Sequence, residues 1–415
     1  MSESGRLRIG ATAATLPVAL WCCQVIGGFD DYEVVTPGTT GVGAGGSSST
    51  GGTGGAEMGG GGSGGVVDLC ALASVPEADP QAASGGDTEI TVAVRSLRLG
   101  EKLDIEGGFD LDDRCTCQDL AICDCAPPDC PCAQPSPACD RPSGLSPAAD
   151  WVACDEPHGV DASSKRLFNR VSIFDDALTS PNLSLSIEAG LWSVLLHIEE
   201  YNGQPNDDQV VVSVHAAGPK TSDPCQPALP EWKGNDAWPI DRDSVVSPIS
   251  CANEPALPKF IDQFGYVVDG QVVAKLNRAT IFIVVLGVNV PVRLRDVRLA
   301  LPLRQDELGV WQVSDGIISG QWGIADVFEA IATFDKVGTA FCNPTNLAFI
   351  QNIVCAYGDL RLEGPASDQP CDAISFFAEV DGVQARLGAT IDLPLTPPVC
   401  PDLAALDCIT PYEPP

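Results

Sequence analysis

The chain has 415 residues, 44% of them apolar, which is enough for a sizeable core and more than one average domain requires. Its 23 basic and 56 acidic residues leave a formal charge of −33. That field excludes nucleic acid and anionic membrane surfaces as partners, because both are bound through Lys and Arg set against phosphate.

Arg6 and Arg8 form a short basic segment, and Ile9 to Cys23 follows without a charge. This apolar run is shorter than the roughly 20 residues that span a bilayer as a helix, so residues 1–23 read as an export signal. Its end, Leu20-Trp21-Cys22-Cys23, resembles a bacterial lipobox, with Trp21 departing from the pattern and Cys23 as the expected lipidated residue. Cleavage near Val25-Ile26-Gly27 without acylation is the alternative. Any membrane contact is expected only through that anchor. Residues 24–87 read as a tether: Gly38–Gly65 is almost wholly Gly, Ser and Thr, a random coil with a reach of about 30 Å. Within it, Gly41–Gly46 imitates a dinucleotide fingerprint and Gly61–Gly65 a nucleophile elbow. Neither follows a strand or opens a helix, so neither carries its mechanism.

From Thr88 the pattern becomes β. Thr88–Leu99 alternates apolar and polar residues, and strands are predicted again at Leu183–Ile187, Leu191–Ile198 and Gln209–His215. Tyr201-Asn202-Gly203, Asp269-Gly270, Asp315-Gly316 and Asp381-Gly382 predict hairpin turns, since these pairs tolerate positive φ. Ala279–Val290, interrupted by Gly287, reads as a buried strand. Ile324–Phe334 and Asn346–Tyr357 have helical periodicity and form a predicted insertion over about 324–357. The expected fold class is mainly β: an antiparallel β-sandwich or jelly-roll-like domain, disulfide-rich, with a small helical insertion. Its parts are 88–218, a Pro-rich connection at 219–258, and 259–415. One sheet system or two domains are both compatible with the pattern.

Eighteen cysteines in an exported chain read as disulfides. Eight cluster together: Cys115, Cys117, Cys123, Cys125, Cys130, Cys132, Cys139 and Cys154. Their Cys-x-Cys pairs could bridge soft metals, but export favours disulfides, each member bonding to a different partner. Cys342, Cys355, Cys371, Cys400 and Cys408 are expected to form local bridges.

Asp110, Asp112 and Asp113 are candidate Ca²⁺ ligands, the first two sharing a face of an extended segment. Ca²⁺ takes about six to eight oxygens, so Asp155, Glu156 or Asp161 would have to converge on them. The alternative is a solvated strand end. No other cofactor is expected. His158 lies among acids in a loop, whereas His197 and His215 fall inside strands, and no serine motif completes a hydrolytic triad. Trp232, Trp238, Trp311 and Trp322 could stack sugars but suit core or sheet-edge positions better.

Several phrases together resemble uncharacterised Gly/Ser-tethered surface lipoproteins of the myxobacterial type. They are the tether itself, Gly108-Phe109-Asp110-Leu111-Asp112-Asp113-Arg114-Cys115-Thr116-Cys117, Tyr201-Asn202-Gly203-Gln204, Asp315-Gly316-Ile317-Ile318-Ser319-Gly320 and Cys371-Asp372-Ala373-Ile374-Ser375. The resemblance implies a cell-surface address and no activity. The expected function is a non-enzymatic binding or envelope module whose partner is a glycan, a protein or a cation. A secreted glycosidase-like hydrolase is the alternative.

Overall fold

The computed structural model describes residues 74–100, 108–114, 139–146, 149, 151, 155–156, 159–172, 179–222, 226–246, 257–285, 287–333, 342–393 and 397–412. The expected signal segment, the Gly/Ser stretch, Cys23, Cys115, Cys117, Cys123, Cys125, Cys130, Cys132, Cys154 and His158 lie outside these residues. In chain order the elements begin with strands β1 (Thr88–Arg98) and β2 (Cys139–Asp140), then helices α1 (Ser163–Ser172) and α2 (Ser180–Glu188). Strands β3 (Ser193–Tyr201), β4 (Asp207–Ala217), β5 (Thr221–Ser222), β6 (Gln226–Pro227), β7 (Ala237–Asp241), β8 (Ile261–Val268), β9 (Gln271–Val285), β10 (Val288–Gln305) and β11 (Trp311–Gly323) follow. Helices α3 (Ile324–Ala332) and α4 (Pro344–Ala356), strands β12 (Ala366–Pro370) and β13 (Ala373–Ile391), and helix α5 (Pro401–Ala404) complete the chain. No described helix is long and apolar enough to cross a membrane.

The protein is mainly β and antiparallel, with a helical insertion between β11 and β12. Pairing runs β1–β3–β4–β8–β9–β10–β11–β13, and β13 returns to pair with β1. Each of these pairs is antiparallel, so the strands close an up-and-down ring. Strands before and after the Pro-rich stretch therefore belong to one sheet. Strand β7 lies alongside, parallel to the end of β13.

Alternation explains the interior. Val92, Val94, Leu196, Ile198, Val212, Val272, Leu299 and Phe376 are fully buried in one cluster, every second residue pointing inward. Each such side chain contributes about 1.5–3 kcal/mol by leaving water. Helix α2 touches both β1 and β9, which face each other across the ring, so it covers one mouth of the barrel. Its Leu183 and Ile187 join the core, while the Ser180 and Ser184 hydroxyls accept from the N–H groups of Leu99 and Leu97 at 2.8 and 3.1 Å. Outside the wall, Trp238 on β7 is buried against Ala93, Leu195 and Ala385, whereas Trp322 packs with Phe168 and Phe376 in the interior cluster. Trp232 and Trp311 pack half-buried at the margin, so all four tryptophans are core or edge residues.

Three expectations are corrected. Leu183–Ile187 is helix α2 rather than a strand: Pro181 opens it, and Leu183 and Ile187, four residues apart, share its buried face. Ala279–Val290 is a hairpin, ending at Val285 and resuming at Val288. Of the Asp-Gly pairs, Asp269-Gly270 is a two-residue turn between β8 and β9, with φ of 51° and 78°. Asp315-Gly316 lies inside β11 at a register shift, and Asp381-Gly382 inside β13. Asp315, with φ 55°, takes its left-handed conformation in a bulge instead of a turn.

The cysteines 139, 371, 342, 400, 355 and 408 form bridges Cys139–Cys371, Cys342–Cys400 and Cys355–Cys408. The last two are local and fasten the helical insertion to the C-terminal tail. Cys371 is not local, because β12 pairs with β2 and carries it to Cys139, 232 residues away.

At Gly382 β1 and β13 leave no room for a side chain: a Cβ there would lie 2.4 Å from Val92 Cγ1 and 3.0 Å from the Ala93 carbonyl oxygen. Replacing Gly382 with Val should destabilise the fold by about 1–3 kcal/mol in urea unfolding. Wild-type stability in that variant would mean that the seam is not tightly closed.

Candidate metal centre

Three distant segments meet on the outer wall of β10. The first, 108–114, follows β1. Arg298 of β10 fastens it through the backbone, its guanidinium donating to the carbonyls of Asp110 and Leu111, the latter at 3.1 Å. The loop then curls so that Arg114 N–H donates to Asp110 Oδ1 at 3.1 Å and Asp112 Oδ1 at 2.8 Å. This turn aims both carboxylates to one side, as short-range Asp-to-backbone bonds generally do.

The second segment enters α1. Asp161 N–H donates to the Phe109 carbonyl at 3.0 Å, and Asp161 Oδ2 accepts from Leu111 N–H at 2.6 Å. Asp161 is thereby locked against the loop, and one carboxylate oxygen each from Asp110, Asp112 and Asp161 lies within 4.8 Å of the others. The third segment, after α4, supplies Asp359, whose oxygens accept from Ser375 N–H and Oγ–H at 2.8 and 2.6 Å.

Crowded carboxylates out of water resist ionisation. Burial, then the neighbouring Asp110 carboxylate, pushes Asp112 up to about 7. Burial first, and then Asp112, Asp155 and Asp359, holds Asp161 well above the usual carboxylate range. Asp110 and Asp359 are also raised, in both cases chiefly by burial. Asp110 and Asp112 sit close enough that a proton on either one relieves their mutual repulsion. A divalent cation in place of that proton would relieve the repulsion, and hard carboxylate oxygens suit Ca²⁺ or Mg²⁺.

Two of the three expected ligands, Asp110 and Asp112, thus meet Asp161, one of the residues that had to converge. Asp113 is exposed, with φ 57°, and is not part of the triad. Asp155 is buried and close enough to raise Asp161, whereas Glu156 pairs with Arg166 at 3.1 Å. Asp359 carried no sequence signal beyond an acid after the glycine that ends α4. The histidines do other work. On the outer face, His197 Nδ1 lies 2.9 Å from Thr91 Oγ1, and His215 Nε2 lies 3.1 Å from Ser213 Oγ. Burial, reinforced by His197, pushes His215 down to about 4, so it is neutral at physiological pH. Among the described residues its Nδ1 has no partner, so it lacks the carboxylate that orients a catalytic imidazole. No family model, curated protein or solved structure matches this chain.

A carboxyl whose folded pKa exceeds its unfolded value supports folding fully below the unfolded value and loses that support as pH rises through the folded one. For Asp112 this window runs from 3.8 to about 7. The stability of the EDTA-stripped chain, relative to an Asp112→Asn variant, should therefore fall as pH rises through that window. Because the metal takes deprotonated ligands, added Ca²⁺ should raise the melting temperature more at pH 7.5 than at pH 5. A Ca²⁺ increment that ignores pH would contradict this assignment.

Proposed function

We propose that this protein is an exported cell-surface binding or envelope module, lipid-anchored at Cys23 and held off the membrane by its Gly/Ser tether. Its barrel carries a Ca²⁺ site built on Asp110, Asp112 and Asp161. The observation that carries the site is the convergence of three carboxylate oxygens within 4.8 Å, drawn from segments some fifty residues apart in sequence. Disulfides support an oxidising compartment. The resemblance to tethered lipoproteins of the myxobacterial type supports the address. Within this reading Ca²⁺ joins the 108–114 loop to the start of α1, fixing a surface on which a glycan or protein partner is recognised. A glycosidase needs two carboxylates about 5–9.5 Å apart with a sugar between them. The closeness of these acids, with Asp161 buried and Asp110 and Asp112 half-buried, favours a metal instead.

Isothermal titration of Ca²⁺ into the EDTA-stripped chain at pH 7.5 should show one site. Asp161→Asn keeps the acceptor for Leu111 N–H but removes a ligand charge, and should weaken binding about tenfold or more. No heat of binding and no thermal shift in the wild type would overturn the Ca²⁺ assignment. The anchor is tested separately, by mass spectrometry of the mature N-terminus after expression in an exporting bacterium. An acylated Cys23 is expected, and an unmodified N-terminus beyond Cys23 would remove the lipid from the proposal.

A further inference from the structure

A cavity of about 380 Å³ lies on the β9–β10 hairpin, and none of the acidic triad lines it. Its floor is made of three successive cross-strand pairs: Arg278 with Arg295, Thr280 with Arg293, and Phe282 with Pro291. On each strand these residues are two apart, so they share one face, running from cationic to apolar. Lys259 flanks them. Four basic and two acidic residues line the cavity, in a chain whose formal charge is −33.

Pairing of the basic residues separates wall from site. Arg293 is neutralised by Asp326 at 3.2 Å and by Glu329 at 2.7 Å. Elsewhere on the same hairpin Lys275 reaches Asp296 at 3.1 Å, and Arg298 reaches it at 3.3 Å. Arg278, Arg295 and Lys259 are exposed and have no ion-pair partner among the described residues. Like charges directly opposite each other on paired strands are destabilising. With acids outnumbering bases 56 to 23, an acidic partner for one of them would be an easy substitution. Two guanidinium forks side by side can instead grip one oxyanion through paired, charge-assisted hydrogen bonds. A cavity of this volume falls in the range that holds small molecules.

We propose that this cavity binds a small organic anion, its carboxylate, sulfate or phosphate head held by Arg278, Arg295 and Lys259 and its uncharged body lying over Thr280 toward Phe282 and Pro291. The chain's overall negative field opposes anion entry, so recognition rests on this local cluster. The site is independent of the Ca²⁺ assignment, and binding should be the same with EDTA as with Ca²⁺.

The test is titration of the full chain at low salt with galacturonate, inorganic sulfate and inorganic phosphate. Saturable binding of at least one is expected, and tighter binding of galacturonate than of the inorganic ions would identify a ligand with a sugar-like body. Arg278→Gln should weaken binding about tenfold, whereas Lys233→Gln, the same charge change at an exposed distant site, should not. Arg278→Gln should also hold or raise the melting temperature, because it removes the facing like charge. Should it fail to fold, Lys259→Gln, outside the ring strands, provides the second variant. No binding by any of the three probes, or equal weakening by Lys233→Gln, would overturn the proposal.

Discussion

Everything placed on this barrel depends on the return of its last strand to its first. Along the β1–β13 seam, Arg98 donates to Asp381 at 2.6 Å and to Glu379, and it reaches Asp315 on β11 at 3.3 Å. Ser96 donates to the same Asp381 at 2.7 Å, and Asp315 N–H donates to it at 2.9 Å. One aspartate thus gathers three strands. Arg98 and Asp381 keep about a third of their side chains in water and Asp315 most of its own, so these ion pairs contribute about 1 kcal/mol or less each. Their role is register, because a one-residue slip would turn Val92 and Val94 outward and Ala93 inward. With the seam fixed, the loop after β1 meets Arg298 on β10, and the chain before α1 meets that loop.

What sequence could and could not reveal follows from the range of each interaction. Alternation in Thr88–Leu99 and helical periodicity in Ile324–Phe334 are local, and both elements are where they were expected. Asp269-Gly270 makes its turn because Pro205 and Leu303 bond to the Gly270 backbone in agreement with the local preference. Asp315-Gly316 and Asp381-Gly382 have the same local preference, but seam contacts draw it into strands that continue. The serines of Leu183–Ile187 imitate a strand's polar face. They turn toward β1 and Trp192 only in the folded barrel. Asp110 and Asp112 were legible as a pair two apart on an extended chain. Their meeting with Asp161 depends on a tertiary contact, Leu111 to Asp161, that no spacing encodes.

The two candidate sites share a logic of charge despite opposite signs. On the outer wall at Arg298, carboxylates gather and raise one another's pKa, a state that a cation relieves. Further along β10, Arg278 and Arg295 face each other, a state that an anion relieves. Both clusters are held by backbone geometry, the first by bonds to carbonyls and amides and the second by strand register. Neither is held by the charges themselves, which is why the repulsion persists in the folded protein.

The closed ring also sets an order of events in time. Every neighbouring pair from β3 to β13 can form as the chain lengthens, each strand laid beside the one just made. Strand β1 can take β3 early, but its other edge must wait for β13, the final strand of the ring. Until then an apolar strand with unmet N–H and C=O groups stands open to other chains. Barrel closure is the contact of greatest sequence separation in the ring and hence the slowest to find. Conditions that delay the last strand will favour association of incomplete chains through that waiting edge.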